Sequence, residues 1–135
     1  MSKRRVVITG MGAITPIGLG VKEYWQGLVE GRNGIDLITR FDTTKFDTKF
    51  AGEVKNFNPE DYLDKKSIRR LDPFAQYALV TAIMAMEDSG LQIDSSNAHR
   101  VGVITGCGLG GLDIMEQHIF QVVTEGPKRV SPFFI

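Results

Sequence analysis

The sequence predicts an α/β protein, because two apolar runs with the character of buried strands alternate with segments of helical periodicity. The two runs are Arg4–Thr9 and Arg100–Thr105, and each leads into glycines, as a strand that enters a tight turn does. Apolar residues make up 42% and charged residues 24% of the chain, a composition typical of a folded globular domain.

The first helix is expected soon after the first strand. Val21–Glu30 has apolar residues at positions 21, 24, 25, 28 and 29, which form one stripe on a helix. We expect this stripe to pack on the sheet with Trp25 in the core, and Gly31 to end the helix. Residues 31–58 are rich in loop-forming types, with a short strand predicted over Phe50–Val54.

Two helix starts follow. Asn58 and Pro59 suit an N-cap and a first helical position, but the basic run Lys65–Arg70 interrupts this segment. Asp72 and Pro73 repeat the start signal before Phe74–Ser89, which is apolar on almost every side and predicts a buried helix that ends at Gly90.

The last predicted helix, Leu112–Thr124, carries an apolar stripe at positions 112, 115, 119 and 123 and is stopped by Gly126 and Pro127. Only two strands are strongly indicated, which is few, because sheets average about five or six. The chain also ends on the apolar run Ser131–Ile135. We therefore expect residues 1–135 to be one part of a larger domain.

Several function classes are disfavoured by composition. Sixteen basic and sixteen acidic residues cancel, so no overall field attracts nucleic acid or an anionic membrane. A single cysteine cannot form an internal disulfide, and no run approaches the ~18 apolar residues of a membrane span or resembles a signal peptide. The sequence predicts a soluble cytoplasmic protein with no metal site and no cofactor.

The stretch Val103–Leu112 (VITGCGLGGL) admits a dinucleotide-binding interpretation. Gly106, Gly108 and Gly111 have the G-x-G-x-x-G spacing between a strand and a helix. The acidic residue expected ~20 positions later would be Glu125, but it ends a helix and no strand follows it. A nucleotide-dependent reductase therefore stays as an alternative only.

Cys107 is a second candidate in this stretch, as a nucleophile. A reactive cysteine needs a base or a helix N-terminus to lower its pKa. Neither His99 nor His118 is obviously placed to serve as that base. The interpretation we favour is a small residue where backbone packs closely.

Two basic clusters stand out against the neutral total charge. One contains four cations within Lys65–Arg70, and the other is the pair Lys128 and Arg129. Such a run is often only a solvated face. If the fold brings the two clusters together, they form a docking surface for an acidic partner or a phosphate.

Five collinear stretches resemble the β-ketoacyl-acyl-carrier-protein synthases, and most closely the type II enzymes of bacterial fatty acid synthesis. They are RRVVITGMGAITPIG (Arg4–Gly18), FDTTKFDTKFAGEVKNFN (Phe41–Asn58), DPFAQYALVTAIMAMEDSG (Asp72–Gly90), VGVITGCGLGGL (Val101–Leu112) and GPKRVSPFFI (Gly126–Ile135). Together they span essentially the whole chain.

The resemblance implies a thiolase-like layered α-β-α-β-α fold, of which this chain is an incomplete N-terminal part, and a homodimer. It also implies an acyltransferase that lengthens acyl chains by decarboxylative Claisen condensation with malonyl-acyl-carrier protein. The family's nucleophilic cysteine, in a T-A-C motif, and its two histidines and lysine have no counterpart in this sequence. We expect the chain alone to be inactive, and a non-catalytic carrier-binding fragment is a further alternative.

Three groups of residues match functional positions of that family. Leu109, beside Gly108, matches a gate that admits the acyl chain. Phe133, Phe134 and Ile135 match a segment of the acyl pocket and dimer interface. The face that meets the acidic carrier protein is matched by six cations, Lys65, Lys66, Arg69, Arg70, Lys128 and Arg129.

Overall fold

The structure, a computed structural model, describes residues 3–132. Phe133, Phe134 and Ile135, which were expected in the acyl pocket, lie outside the described residues. The helices are α1 (Gly20–Val29), α2 (Lys65–Arg70), α3 (Pro73–Ser89) and α4 (Leu112–Glu125). The strands are β1 (Ile14–Thr15), β2 (Gly18–Leu19), β3 (Asp36–Leu37) and β4 (Phe50–Ala51), and short 3-10 turns occupy Pro59–Asp61, Ala98–Arg100 and Pro127–Arg129.

The chain forms two compact units. The first contains residues 3–58 and 80–91, and the second contains residues 59–79 and 92–132. Helix α3 contributes its C-terminal half to the first unit and its N-terminal half to the second.

The first unit contains two antiparallel hairpins. In the first hairpin Ile14 pairs with Leu19, and the Thr15 hydroxyl donates to the Gly18 carbonyl oxygen at 2.9 Å, which closes the turn. Helix α1 begins at the next residue and packs on this hairpin. The second hairpin joins β3 to β4 and confirms the start of the strand predicted over Phe50–Val54.

The first glycine loop of this unit packs against the C-terminal half of α3. A side chain at Gly12 would collide with the Thr81 carbonyl oxygen, so the close approach requires glycine. The backbone N–H of Met11 donates to the Asp88 carboxylate at 2.9 Å. Loop and helix are thereby fixed to each other.

The two predicted strands are not formed. Arg4–Thr9 and Arg100–Thr105 have no strand assignment, and Val6 and Ile104 are 92% and 100% exposed. A strand needs a neighbouring backbone to accept and donate its hydrogen bonds. Among residues 3–132 no segment pairs with either run.

The helix predictions are confirmed within a few residues at each end, with one addition. The basic run Lys65–Arg70, expected to interrupt a helix, is itself a short helix. The Asn58 and Pro59 signal yields only the 3-10 turn Pro59–Asp61.

Burial is found only in part among residues 3–132: α3 holds the buried Gln76 and Val80, whereas α1 and α4 are largely exposed. Trp25, expected in the core, is 66% exposed, and all four stripe residues of α4 are exposed. Among the apolar residues of the described chain, only Val80 on α3 is buried. An apolar stripe identifies the helix face that favours burial, but it does not identify the element that would pack against that face.

Candidate functional site

Helix α2 presents the larger basic cluster. Asp64 precedes it as N-cap, and its carboxylate accepts from the backbone N–H groups of Lys66 and Ser67 at 2.9 and 3.0 Å. The Ser67 hydroxyl also donates to this carboxylate, at 2.6 Å. The Ser67 hydroxyl and then the backbone N–H groups hold the pKa of Asp64 below its usual value.

Three of the four cations of α2 are available to a partner. Lys65, Lys66 and Arg69 are exposed, and their side chains make no hydrogen bond or ion pair with another of residues 3–132. Arg70 is exposed as well, and Arg69 and Arg70 lie in the last turn, where the helix dipole favours positive charge.

The second basic pair occupies the 3-10 turn Pro127–Arg129, directly after α4. Lys128 and Arg129 are exposed and belong to the same compact unit as α2. That the two clusters form one continuous docking surface stays a prediction.

The glycine-rich loop before α4 displays Leu109. This leucine is 70% exposed. Cys107 is also exposed, and its sulfur accepts from the backbone N–H of Gly110 at 3.0 Å. This bond closes a tight turn around Gly108 and Leu109.

No base contacts Cys107 in the described part of the chain. The Cys107 sulfur accepts from the Gly110 amide, whereas the His118 ring contacts Gln121 at 3.2 Å on α4. These contacts favour a structural role for the thiol in its loop over the nucleophile alternative.

The start of α4 holds a contact that the sequence did not reveal. Asp72, which is only 8% exposed, reaches across with its carboxylate, and Oδ2 accepts from the backbone N–H of Ile114 at 3.3 Å. A Cβ atom at Gly111 would lie 3.1 Å from the same oxygen. Gly111 therefore leaves room for a carboxylate of this chain.

The same contact argues against the dinucleotide alternative. In a dinucleotide fold the pyrophosphate binds at the N-terminus of the helix that follows the glycines. Here the carboxylate of Asp72 already occupies the first turn of α4. A phosphate placed there would meet a like charge, so the glycine spacing has a different physical cause.

Gln76 is the second buried polar residue of this region. One helical turn after Asp72, its amide nitrogen donates to the carbonyl oxygens of Ile68 and Leu71, at 3.2 and 2.8 Å. It thus satisfies carbonyl groups at the end of α2. The signal was present in the sequence as the single amide side chain of a largely apolar helix.

Metal and membrane features are not found in the described chain. Within residues 3–132, no three His, Cys, Asp or Glu side chains are grouped so that they could hold a metal ion. No helix of this range has the length and apolar character needed to cross a bilayer.

Comparison with known proteins defines the class. The family model of the beta-ketoacyl synthase N-terminal domain matches residues 3–135, so the chain belongs to the beta-ketoacyl synthase family. Among curated proteins, the chain is 50% identical over 135 residues to the 3-oxoacyl-[acyl-carrier-protein] synthase 2 of Vibrio harveyi, covering 100% of this chain and 32% of that protein. The enzyme of the same name from Staphylococcus aureus (strain COL) is 52% identical over 132 residues, which are 98% of this chain and 32% of that protein.

Solved structures agree. The ishigamide ketosynthase/chain length factor superimposes with a TM-score of 0.78 at 34% identity, over 98% of this chain and 33% of that chain. A type II polyketide ketosynthase, solved in complex with its acyl-carrier protein, superimposes with a TM-score of 0.75 at 25% identity, over 94% of this chain and 34% of that chain. The predicted thiolase-like α/β class is confirmed, and the chain spans about a third of these relatives.

Proposed function

We propose that this chain is the N-terminal part of a 3-oxoacyl-acyl-carrier-protein synthase of fatty acid synthesis. The observation that carries the proposal is the identity of 50% to such a synthase over all 135 residues. The reaction would be decarboxylative Claisen condensation. Malonyl-acyl-carrier protein loses CO2, and the resulting carbanion attacks the carbonyl carbon of an acyl group held on a cysteine; the thioester bond to that cysteine then breaks and the thiolate leaves.

The chain alone should not condense. The family's T-A-C cysteine, its two histidines and its lysine have no counterpart in the sequence, and Cys107 lies in another loop. An assay of malonyl-acyl-carrier-protein decarboxylation and carbon–carbon bond formation with the purified chain should detect neither. Product formed in proportion to chain concentration would contradict the proposal.

Docking of the carrier protein would use the exposed cations of α2, with Lys128 and Arg129 as a second contact. Two observations support this surface: the α2 cations Lys65, Lys66 and Arg69 lack partners within residues 3–132, and a related ketosynthase has been solved in complex with its acyl-carrier protein. Paired charges across an interface steer association and set its register.

Charge reversal tests this surface. Lys66→Glu with Arg69→Glu should weaken binding of an acidic acyl-carrier protein by about tenfold or more, and the native affinity should fall as salt rises. The matched control is Lys22→Glu with Lys45→Glu, the same charge change at two exposed lysines of the first unit. Equal losses in both variants, measured by calorimetry, would show a general charge effect and refute docking at α2.

Leu109 is proposed as the acyl gate, with Gly108 giving it freedom to move. Its exposure at the tip of a turn supports this role. Phe133, Phe134 and Ile135 are proposed, on the resemblance alone, to line the acyl pocket near a homodimer interface. A cytoplasmic homodimer is part of the same proposal.

A further inference from the structure

Asp72 contacts the first turns of two helices with one buried carboxylate. Oδ1 accepts from the backbone N–H of Phe74 in α3, and Oδ2 accepts from that of Ile114 in α4, both at 3.3 Å. Its own carbonyl oxygen accepts from the N–H groups of Ala75 and Gln76 at 2.9 and 3.1 Å. One residue therefore begins α3 and also holds the start of α4.

The physical reason for this arrangement is the shortage of partners at helix starts. The first N–H groups of a helix have no acceptor within it, and each helix N-terminus carries a partial positive charge. A single carboxylate accepts one N–H group at each of the two starts and lies at the positive ends of both dipoles. The bond to Ile114 spans 42 residues, so it joins parts of the chain that no local motif connects.

We propose that Asp72 is a positioning residue that fixes the glycine loop and its gate residue Leu109 against α3. Through Gln76, one turn further on, α3 also holds the end of the basic helix α2. The start of α3 would thus hold both the basic helix of the docking surface and the gate loop in place. This inference rests on the proposed function for the role of Leu109 as a gate. The contacts of Asp72 and Gln76 do not depend on that function.

The first test separates the two roles of the carboxylate. Asp72→Ser keeps a favoured N-cap for α3, but its one short oxygen cannot serve both helices. Hydrogen exchange resolved by NMR should show the amides of Ile114 and Gly110 exchanging about tenfold faster, while that of Gln76 changes little. Asp94→Ser, which removes an exposed turn carboxylate of the same unit, should leave Ile114 unchanged.

The second test approaches the same contact from the other side and does not depend on the first variant. Gly111→Ala places a methyl group 3.1 Å from Asp72 Oδ2 and should accelerate exchange at Ile114. Gly106→Ala, where nothing lies within 4 Å, is the matched control and should have no effect.

Combining the variants shows whether the two residues act through one contact. In an Asp72→Ser background, Gly111→Ala should add little, because the carboxylate that it crowds is gone. Fully additive effects, unchanged exchange at Ile114 and Gly110, or an equal loss of protection across residues 59–79 and 92–132 would each overturn the proposal. No carrier protein or acyl substrate enters these measurements, so their failure is distinguishable from failure of the proposed function.

Discussion

A single residue changes the interpretation of the glycine-rich stretch. VITGCGLGGL fits a dinucleotide pattern by spacing alone, yet its last glycine lies against the carboxylate of Asp72. Glycine spacing reports only where a side chain is not tolerated, and the group that excludes it can be a phosphate or the protein itself. Here that group is the carboxylate of Asp72, which lies 42 residues before its partner Ile114 in the sequence. A local sequence pattern cannot reveal a contact between residues so far apart.

Nucleotide binding tests this conclusion at the residue scale. Titration of the chain with NADPH, followed by the fluorescence of the nicotinamide, should give no saturable change, because Asp72 occupies the first turn of α4. An Asp72→Ser variant should behave in the same way, since no other phosphate contact is provided there. Saturable binding that Gly106→Ala weakens would revive the reductase alternative.

At the scale of the element, the three longer helices were predictable, whereas the two long apolar strands were predicted but did not form. The starts of α3 and α4 follow from local signals, Pro73 after Asp72 in one case and the apolar period after Gly111 in the other. Arg4–Thr9 has the composition of a buried strand, but pairing depends on a neighbour that the local sequence does not define. Helix bounds are a local property, whereas strand formation and burial are properties of the assembled fold.

The N-cap of α2 makes a prediction about pH. The pKa of Asp64 is lowered in the folded chain, so its contribution to α2 is complete above about pH 3.9, where the unfolded aspartate titrates. It is lost as pH falls through the lower, folded pKa. The backbone amide shifts of Lys66 and Ser67 should therefore change together in acid, and α2 should fray.

Asp64→Asn provides the control for that titration. Asparagine remains a favoured N-cap, so α2 should persist at neutral pH, while the acid-induced change at Lys66 and Ser67 should disappear. The same acid midpoint in the variant would show that another group governs α2. Asp64→Ala should weaken α2 at every pH.

At the scale of the whole molecule, the chain has far more apolar surface than it covers. Val80 is the fully buried apolar side chain of residues 3–132, while Val6, Trp25 and Ile104 are mostly exposed. Large exposed apolar patches mark surfaces that bind other polypeptide. The curated relatives that the chain matches are about three times as long as the chain.

The most direct test of the account is a chimera in which this chain replaces the matching 32% of the Vibrio harveyi synthase. We predict that the chimera folds and condenses malonyl- and acyl-acyl-carrier protein, and that Lys66→Glu with Arg69→Glu raises its KM for carrier substrates more than it lowers kcat. A folded chimera without condensing activity, beside an active Vibrio enzyme prepared in parallel, would contradict the assignment of this chain to a working synthase.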